Sequence, residues 1–243
     1  MQQLVNDPWQ LVQEHRYADA LAAYDAALAA GDQQRAPWIA NRGIVLLCLG
    51  RWQEAFDAFA HANEIKNRKT PSAQPYLTKM ATAQWLMGGR GEAIGTLRRA
   101  VDGVASGQIG YADSAGGVSQ GLLLWYAGAT VPDEAARDHA LAYLSRLSDG
   151  RRIQFWPGPL ALYVLGRMPF EETLRLMASS SADLAKAEVS KRRRLCQALF
   201  YAAVAKRHEG EESACMNGMR QCYALENPLL EEEWYLARAE VGA

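Results

Sequence analysis

The sequence is short of the features that announce a chemistry. Four cysteines stand among 243 residues, at positions 48, 196, 215 and 222, and none forms a Cys-x-x-Cys pair. Cys215 and Cys222 lie seven apart, about 10 Å along a helix axis, too far for a disulfide or for two ligands of one metal. His208 extends that series, but a glutamate-rich turn intervenes, and reduced, mostly buried thiols are the preferred reading. Charge of one sign is missing as well. With 26 basic and 27 acidic residues the formal net charge is −1, which leaves no global field to gather nucleic acid or an anionic membrane. No stretch approaches the ~20 apolar residues that span a bilayer. The opening "MQQLVNDPWQ" lacks a basic head followed by an apolar run, so no secretory signal is visible and a cytoplasmic protein is expected unless a leader has been removed. Phosphate loop, dinucleotide fingerprint and HExxH zinc pair are all absent, and neither cofactor nor metal is expected. No convincing alternation of apolar and polar residues marks a strand.

What is there is a repeat. "YADALAAYDAALAAG" carries Ala20, Tyr24 and Ala27; "WQEAFDAFAHANEI" carries Ala55, Phe59 and Ala62; "RGEAIGTLRRAVDG" carries Ala93, Leu97 and Ala100. Ala20 and Ala55 are 35 residues apart, and Ala55 and Ala93 are 38 apart, the longer step containing the proline-rich "NRKTPSAQP". Positions i, i+4 and i+7 share one helical stripe. Alanine at both ends lets a neighbouring helix approach, and the large residue between fills the groove. A partner helix precedes the second and third copies: "APWIANRGIVLLCLG" and "QPYLTKMATAQWLMGG" each open near a proline and end in Gly50 or Gly88, a start and a stop signal for a helix. The unit is helix, turn, helix.

Over residues 1–104 the chain resembles the tetratricopeptide repeat family, on Trp38, Gly43, Gly50, Ala55, Phe59 and Ala62 above all, with "GRWQEA" as the turn. His15 stands where a turn glycine is usual, and Leu97 replaces the aromatic. Further on, Ala140, Leu144 and Leu147 keep the spacing, and two more pairs are hinged at Gly166 and Gly210, the last with Ala214 in the alanine position and Pro228 beyond it. "LLEEEWYLARAE" reads as a lone amphipathic helix closing the stack. The fold expected is all-α, a single domain over 1–243. It is a right-handed superhelical α-solenoid of about six tetratricopeptide-like pairs, regular over 1–104, interrupted by a glycine-rich loop over 105–121 and irregular over 122–243.

Within that loop, Gly117-Val118-Ser119-Gln120-Gly121 spells G-x-S-x-G, the turn that presents a nucleophilic serine in many hydrolases. That turn needs a buried strand running into it, and "GQIGYADSAGG" is not one. Asp133 or Asp138 with His139 or His208 would complete the order Ser…Asp…His, an order that chance supplies easily. Ser119 or Ser114 as a helix cap is the plainer reading, and no catalytic residue is assigned.

The function expected is therefore protein binding. Such arrays curve, with the first helix of each pair on the concave side, where Asn41, Lys79 and Thr82 should point into the groove. For the irregular half the candidates are Tyr111, Asp113, Tyr126 and Trp156, and alanine at these sites should weaken a partner while sparing stability. The loop over 105–121 is either an interaction segment or a plain connector. Most tryptophans read as wedges between helices, Trp156 in the rigid "FWPGP" excepted. Lys191–Arg194 reads as a solvated basic run, with Arg194 turned toward the groove or toward an anionic partner, and Glu231–Glu233 as a helix first turn. In architecture the chain resembles stand-alone bacterial tetratricopeptide-type proteins, some of which are similar to immunity proteins. That resemblance implies a toxin as partner, neutralised by occlusion; an adaptor gripping peptides in its groove is the alternative. Neither nucleic acid nor membrane is expected as partner.

Overall fold

The structure is a computed structural model that describes residues 7–32, 35–69, 76–178, 184–225 and 231–242. The prolines at 71, 75 and 228 lie outside the described residues. The chain runs through α1 (Pro8–Gln13), α2 (Tyr17–Ala27), α3 (Ala36–Cys48), α4 (Trp52–Lys69), α5 (Leu77–Leu86), α6 (Arg90–Ala105) and α7 (Val118–Thr130). It continues through α8 (Glu134–Ser148), α9 (Gly158–Val164), α10 (Phe170–Ala178), α11 (Leu184–His208), α12 (Glu212–Tyr223) and α13 (Glu232–Val241). A π-type turn follows α2 and a 3-10 turn (Arg151–Gln154) precedes α9. The architecture is all-α: no strand occurs among the described residues. Nor is any described helix long and apolar enough to cross a membrane.

The small–large–small stripes do what their spacing demands. Ala55, Phe59 and Ala62 are fully buried, as are Ala93, Leu97 and Ala100 nearly so. α3 packs on α4, α5 on α6 and α7 on α8, and each pair meets the next through α4 on α5 and α6 on α7. Gly43 on α3 faces Phe59 on α4 so closely that a Cβ there would sit 2.6 Å from the ring. The turns after α3 and α5 are closed by Gly50 and Gly88 at φ 72° and 87°. His15, in the glycine position of the first unit, takes the same left-handed conformation at φ 60°.

Three expectations need correction. The glycine-rich loop is shorter than 105–121: α6 holds Ala105, α7 already begins at Val118, and Ser119 is helical. In α12 the buried stripe is Cys215, Met219 and Cys222, not one beginning at Ala214. Cysteine serves there as the small residue, and Cys222 Sγ lies 3.3 Å from Cys196 Sγ on α11, both thiols free. Finally, α13 does not close one end of the stack. It packs against α5, α11 and α12, so the chain returns to its own middle. Tyr235 joins the apolar cluster built by α1–α4, while the adjacent Leu236 and Ala237 join the cluster built by α5–α12.

Candidate functional site

The segment before α7 folds onto that helix. The Asp113 carboxylate accepts hydrogen bonds from the backbone N–H groups of Gly117 and Ser119, both at 3.0 Å, satisfying donors that the first turn of a helix leaves open. The cap is thus Asp113, not Ser114 or Ser119. Gly117, at φ 99°, supplies the left-handed entry, and Tyr143 Oη donates to its carbonyl at 2.9 Å. Tyr111 sits under the Arg152 guanidinium, 5.5 Å from ring centroid to Cζ.

This folded segment forms one wall of a cavity of about 800 Å³. α5 contributes Lys79, α7 Ser119 and Gln120, the bend before α9 Phe155 and Trp156, and α11 Arg193 and Arg194. The three consecutive carboxylates Glu231, Glu232 and Glu233 complete it. Glu232 accepts from Thr78 Oγ1 (2.9 Å) and Lys79 Nζ (3.2 Å). Glu231 accepts from Arg193 Nε. Glu233 Oε1 accepts from Tyr201 Oη at 2.8 Å and, more weakly, from Gln197 Nε2 at 3.5 Å, while Gln197 Oε1 accepts from the Trp156 indole at 2.6 Å.

Two oxygens of residues in this lining, Glu233 Oε2 and Gln120 Oε1, are closed off from solvent and meet no hydrogen-bond partner among the described residues. Both side chains are buried, at 2% and 8% exposure. Burial pushes the Glu233 carboxyl up to about 8, with the neighbouring charges of Glu231 and Glu232 adding to the effect and the Tyr201 hydroxyl opposing it. Burial likewise raises Glu231, opposed by Arg193. Desolvation, then the adjacent Arg193, lowers Arg194. Burial thus holds two carboxyls of this lining, Glu231 and Glu233, reluctant to ionise.

Of the seven partner-binding candidates, Lys79, Asp113 and Trp156 line this cavity, as do Ser114, Ser119 and Arg194. The other four candidates lie elsewhere. Tyr126 is 1% exposed; its hydroxyl donates to Glu240 of α13 at 2.8 Å and its ring packs on Trp85 and Phe200. Thr82 is buried and donates to the Thr78 carbonyl. Asn41, half-buried, hydrogen-bonds Tyr24. Sequence reasoning missed Phe155, Gln197 and the burial of Glu231 and Glu233. Their one signal was the pairing of an acidic run at 231–233 with a basic run at 191–194.

Around Ser119 the partners of a nucleophile are placed elsewhere. No histidine lines the cavity among the described residues. His139 lies 2.8 Å from Asp102, His208 stacks edge-on against Trp125, and Asp133 caps α8 through Ala136 N. The chain enters α7 from turns and bends, not from a strand. No cluster of three or more His, Cys, Asp or Glu side chains able to hold a metal occurs among the described residues. No known protein-family model matches this sequence, and no curated protein matches it.

Proposed function

We propose that the protein is a non-catalytic, cytoplasmic protein-binding module: a right-handed, tetratricopeptide-like array that uses the mouth of the cavity between α5, α7, α11 and α13 to cover part of another protein. The observation that carries this reading is Phe155, which is 51% exposed beside the indole of Trp156 and Arg193 and Arg194 of α11. Aromatic side chains and arginines grouped at a concavity are the composition of interface anchors. A large apolar ring left in water is otherwise a cost without a return. Binding by occlusion is favoured over capture of a peptide along the inner face, because α13 already lies against α5 and α11. The resemblance to tetratricopeptide-type immunity proteins makes a toxin encoded beside this protein the first partner to try.

The test is co-purification of the full chain with its native partner, followed by titration of Phe155→Ala. Loss of an interface anchor is expected to weaken binding by ~30-fold, equivalent to about 2 kcal/mol, with the melting temperature unchanged because the ring is half in solvent. A partner that binds Phe155→Ala and Phe155→Glu as tightly as the parent would move the interface elsewhere.

A further inference from the structure

Resting on that binding role, we infer that the bend joining α8 to α9 docks an acidic patch of the bound protein, whose carboxylates meet Arg146, Arg151 and Arg152 around the Phe155 anchor. Residues 146–155 are drawn together by tight turns. Gly150 N donates to the Leu147 carbonyl at 3.0 Å, Ile153 N to the Gly150 carbonyl at 3.2 Å and Phe155 N to the Arg152 carbonyl at 3.0 Å. All three arginines and Phe155 are exposed on this one bend. Arg152 lies along Gly116, its Cδ 3.4 Å from where a Cβ would be, with its guanidinium over Tyr111. The patch therefore runs onto the folded segment before α7, and Gln154 and Phe155 carry it to the cavity mouth.

What sets these arginines apart is the lack of an answering charge. Arg98 meets Asp133, Arg137 meets Glu134 and Asp138, and Arg207 meets Glu212 and Glu240. Asp149, the acid within the bend, faces Arg167. Arg146, Arg151 and Arg152 form no ion pair among the described residues. A local surplus of positive charge thus stands on a chain whose formal net charge is −1. A guanidinium meets a carboxylate with two parallel N–H donors. It meets a phosphate as well, but a nucleic acid or an anionic bilayer would extend past the bend onto a surface carrying as much acid as base. An acidic patch of a protein ends where the arginines end.

The test is fluorescence anisotropy of the full chain with labelled peptides of three Glu-Asp-Leu-Glu or three Lys-Arg-Leu-Lys repeats and a single-stranded DNA of equal length, beside cosedimentation with phosphatidylserine vesicles. Expected is saturable binding of the acidic peptide in ~20 mM salt, at least ~3-fold weaker in ~200 mM. Arg146→Gln, Arg151→Gln and Arg152→Gln together should lose ~30-fold, the sum of three exposed charge pairs. Arg16→Gln, Arg99→Gln and Arg220→Gln together remove the same charge from exposed arginines elsewhere and should lose less than ~2-fold. Should the first triple variant lose its parental melting temperature, Arg151→Glu alone, which breaks no ion pair among the described residues, should cost at least ~5-fold; undiminished binding there overturns the inference. So do equal losses in the two triple variants, preference for the basic peptide, the DNA or the vesicles, or no binding of the acidic peptide at ~1 mM. With the native partner, loss in Phe155→Ala but full affinity in the Arg146, Arg151 and Arg152 variant overturns the acidic docking and leaves the binding role standing. A partner lost by both variants supports both readings, and one lost by neither overturns both.

Discussion

Glu233 sits on the first turn of α13, where a carboxylate ordinarily faces water and complements the helix dipole. Here it is buried with one oxygen served by Tyr201 and the other by nothing among the described residues. Its ionisation therefore works against the fold. The carboxyl titrates near 4.5 when the chain is open and is pushed up to about 8 when folded. Between those values the folded state keeps a proton that the unfolded state releases, so stability falls as pH rises through that window. The contribution of the neutral carboxyl is complete below about pH 4.5 and gone above about pH 8. Glutamine cannot ionise and keeps the hydrogen bond from Tyr201. Glu233→Gln should therefore gain on the parent with pH, by on the order of 2 kcal/mol or more between pH 5.5 and 8.5. Thermal melts at the two pH values should show this as a change of ~4–8 °C in the difference between the chains. A difference that is the same at both would mean the carboxyl is solvated and the pocket floor wrongly described.

At the scale of the element, the helix pairs depend on glycine and alanine for different reasons at different faces. Gly43 is small because Phe59 is in the way; Gly95, exposed on α6, has nothing within 4 Å of where a Cβ would be. Alanine should thus act in opposite directions at the two sites. Gly43→Ala is expected to lose ~1–3 kcal/mol by overpacking against a fully buried ring. Gly95→Ala is expected to gain up to ~1 kcal/mol from helix propensity alone. Urea midpoints of the two variants check this, and shifts of the same sign would detach the motif from its steric cause. This logic is what made the hairpins legible. The Ala–large–Ala stripes and the turn glycines at 50, 88, 166 and 210 state a local geometry, and local geometry is what a linear pattern can carry. The same rule missed α12 because cysteine replaced alanine on the stripe at 215 and 222. Tyr126 reads as a groove residue because nothing local reveals that nearly every face of α7 is covered. The carboxylates at 231–233 read only as a helix first turn, because their burial depends on α5 and α11. Glu232 meets Thr78 across 154 residues of chain, and no periodicity encodes which helices meet across an array. Lys79 follows from the repeat register, and Asp113 and Trp156 from their chemistry and their place in the irregular half, none of them from any reading of the cavity they share.

For the whole molecule, that long-range return changes what kind of object the array is. Stacked repeats that touch only their neighbours unfold as a line, with stability the sum of unit and interface contributions. In this chain α13 breaks the line. Tyr235 enters the apolar cluster of the first four helices, where its hydroxyl lies 3.4 Å from Cys48 Sγ. Leu236 and Ala237 enter the cluster of the later helices, and Glu240 is tied to Tyr126 of α7 and Arg207 of α11. One ten-residue helix thus clamps both clusters together. The full chain should unfold in a single transition, with helix content and tryptophan fluorescence changing in step. Removal of residues 226–243 should split that transition, the α1–α4 cluster melting first, and should raise the reactivity of the Cys48 thiol toward an alkylating reagent, because Tyr235 no longer shields it. Tyr235→Ala, which leaves the rest of α13 in place, should produce a smaller version of both effects. A shortened chain that still melts once, at the parental midpoint and with Cys48 no more reactive, would mean that neighbour contacts alone hold the array and that the cavity, which needs α13 for its floor, stands on a helix free to leave.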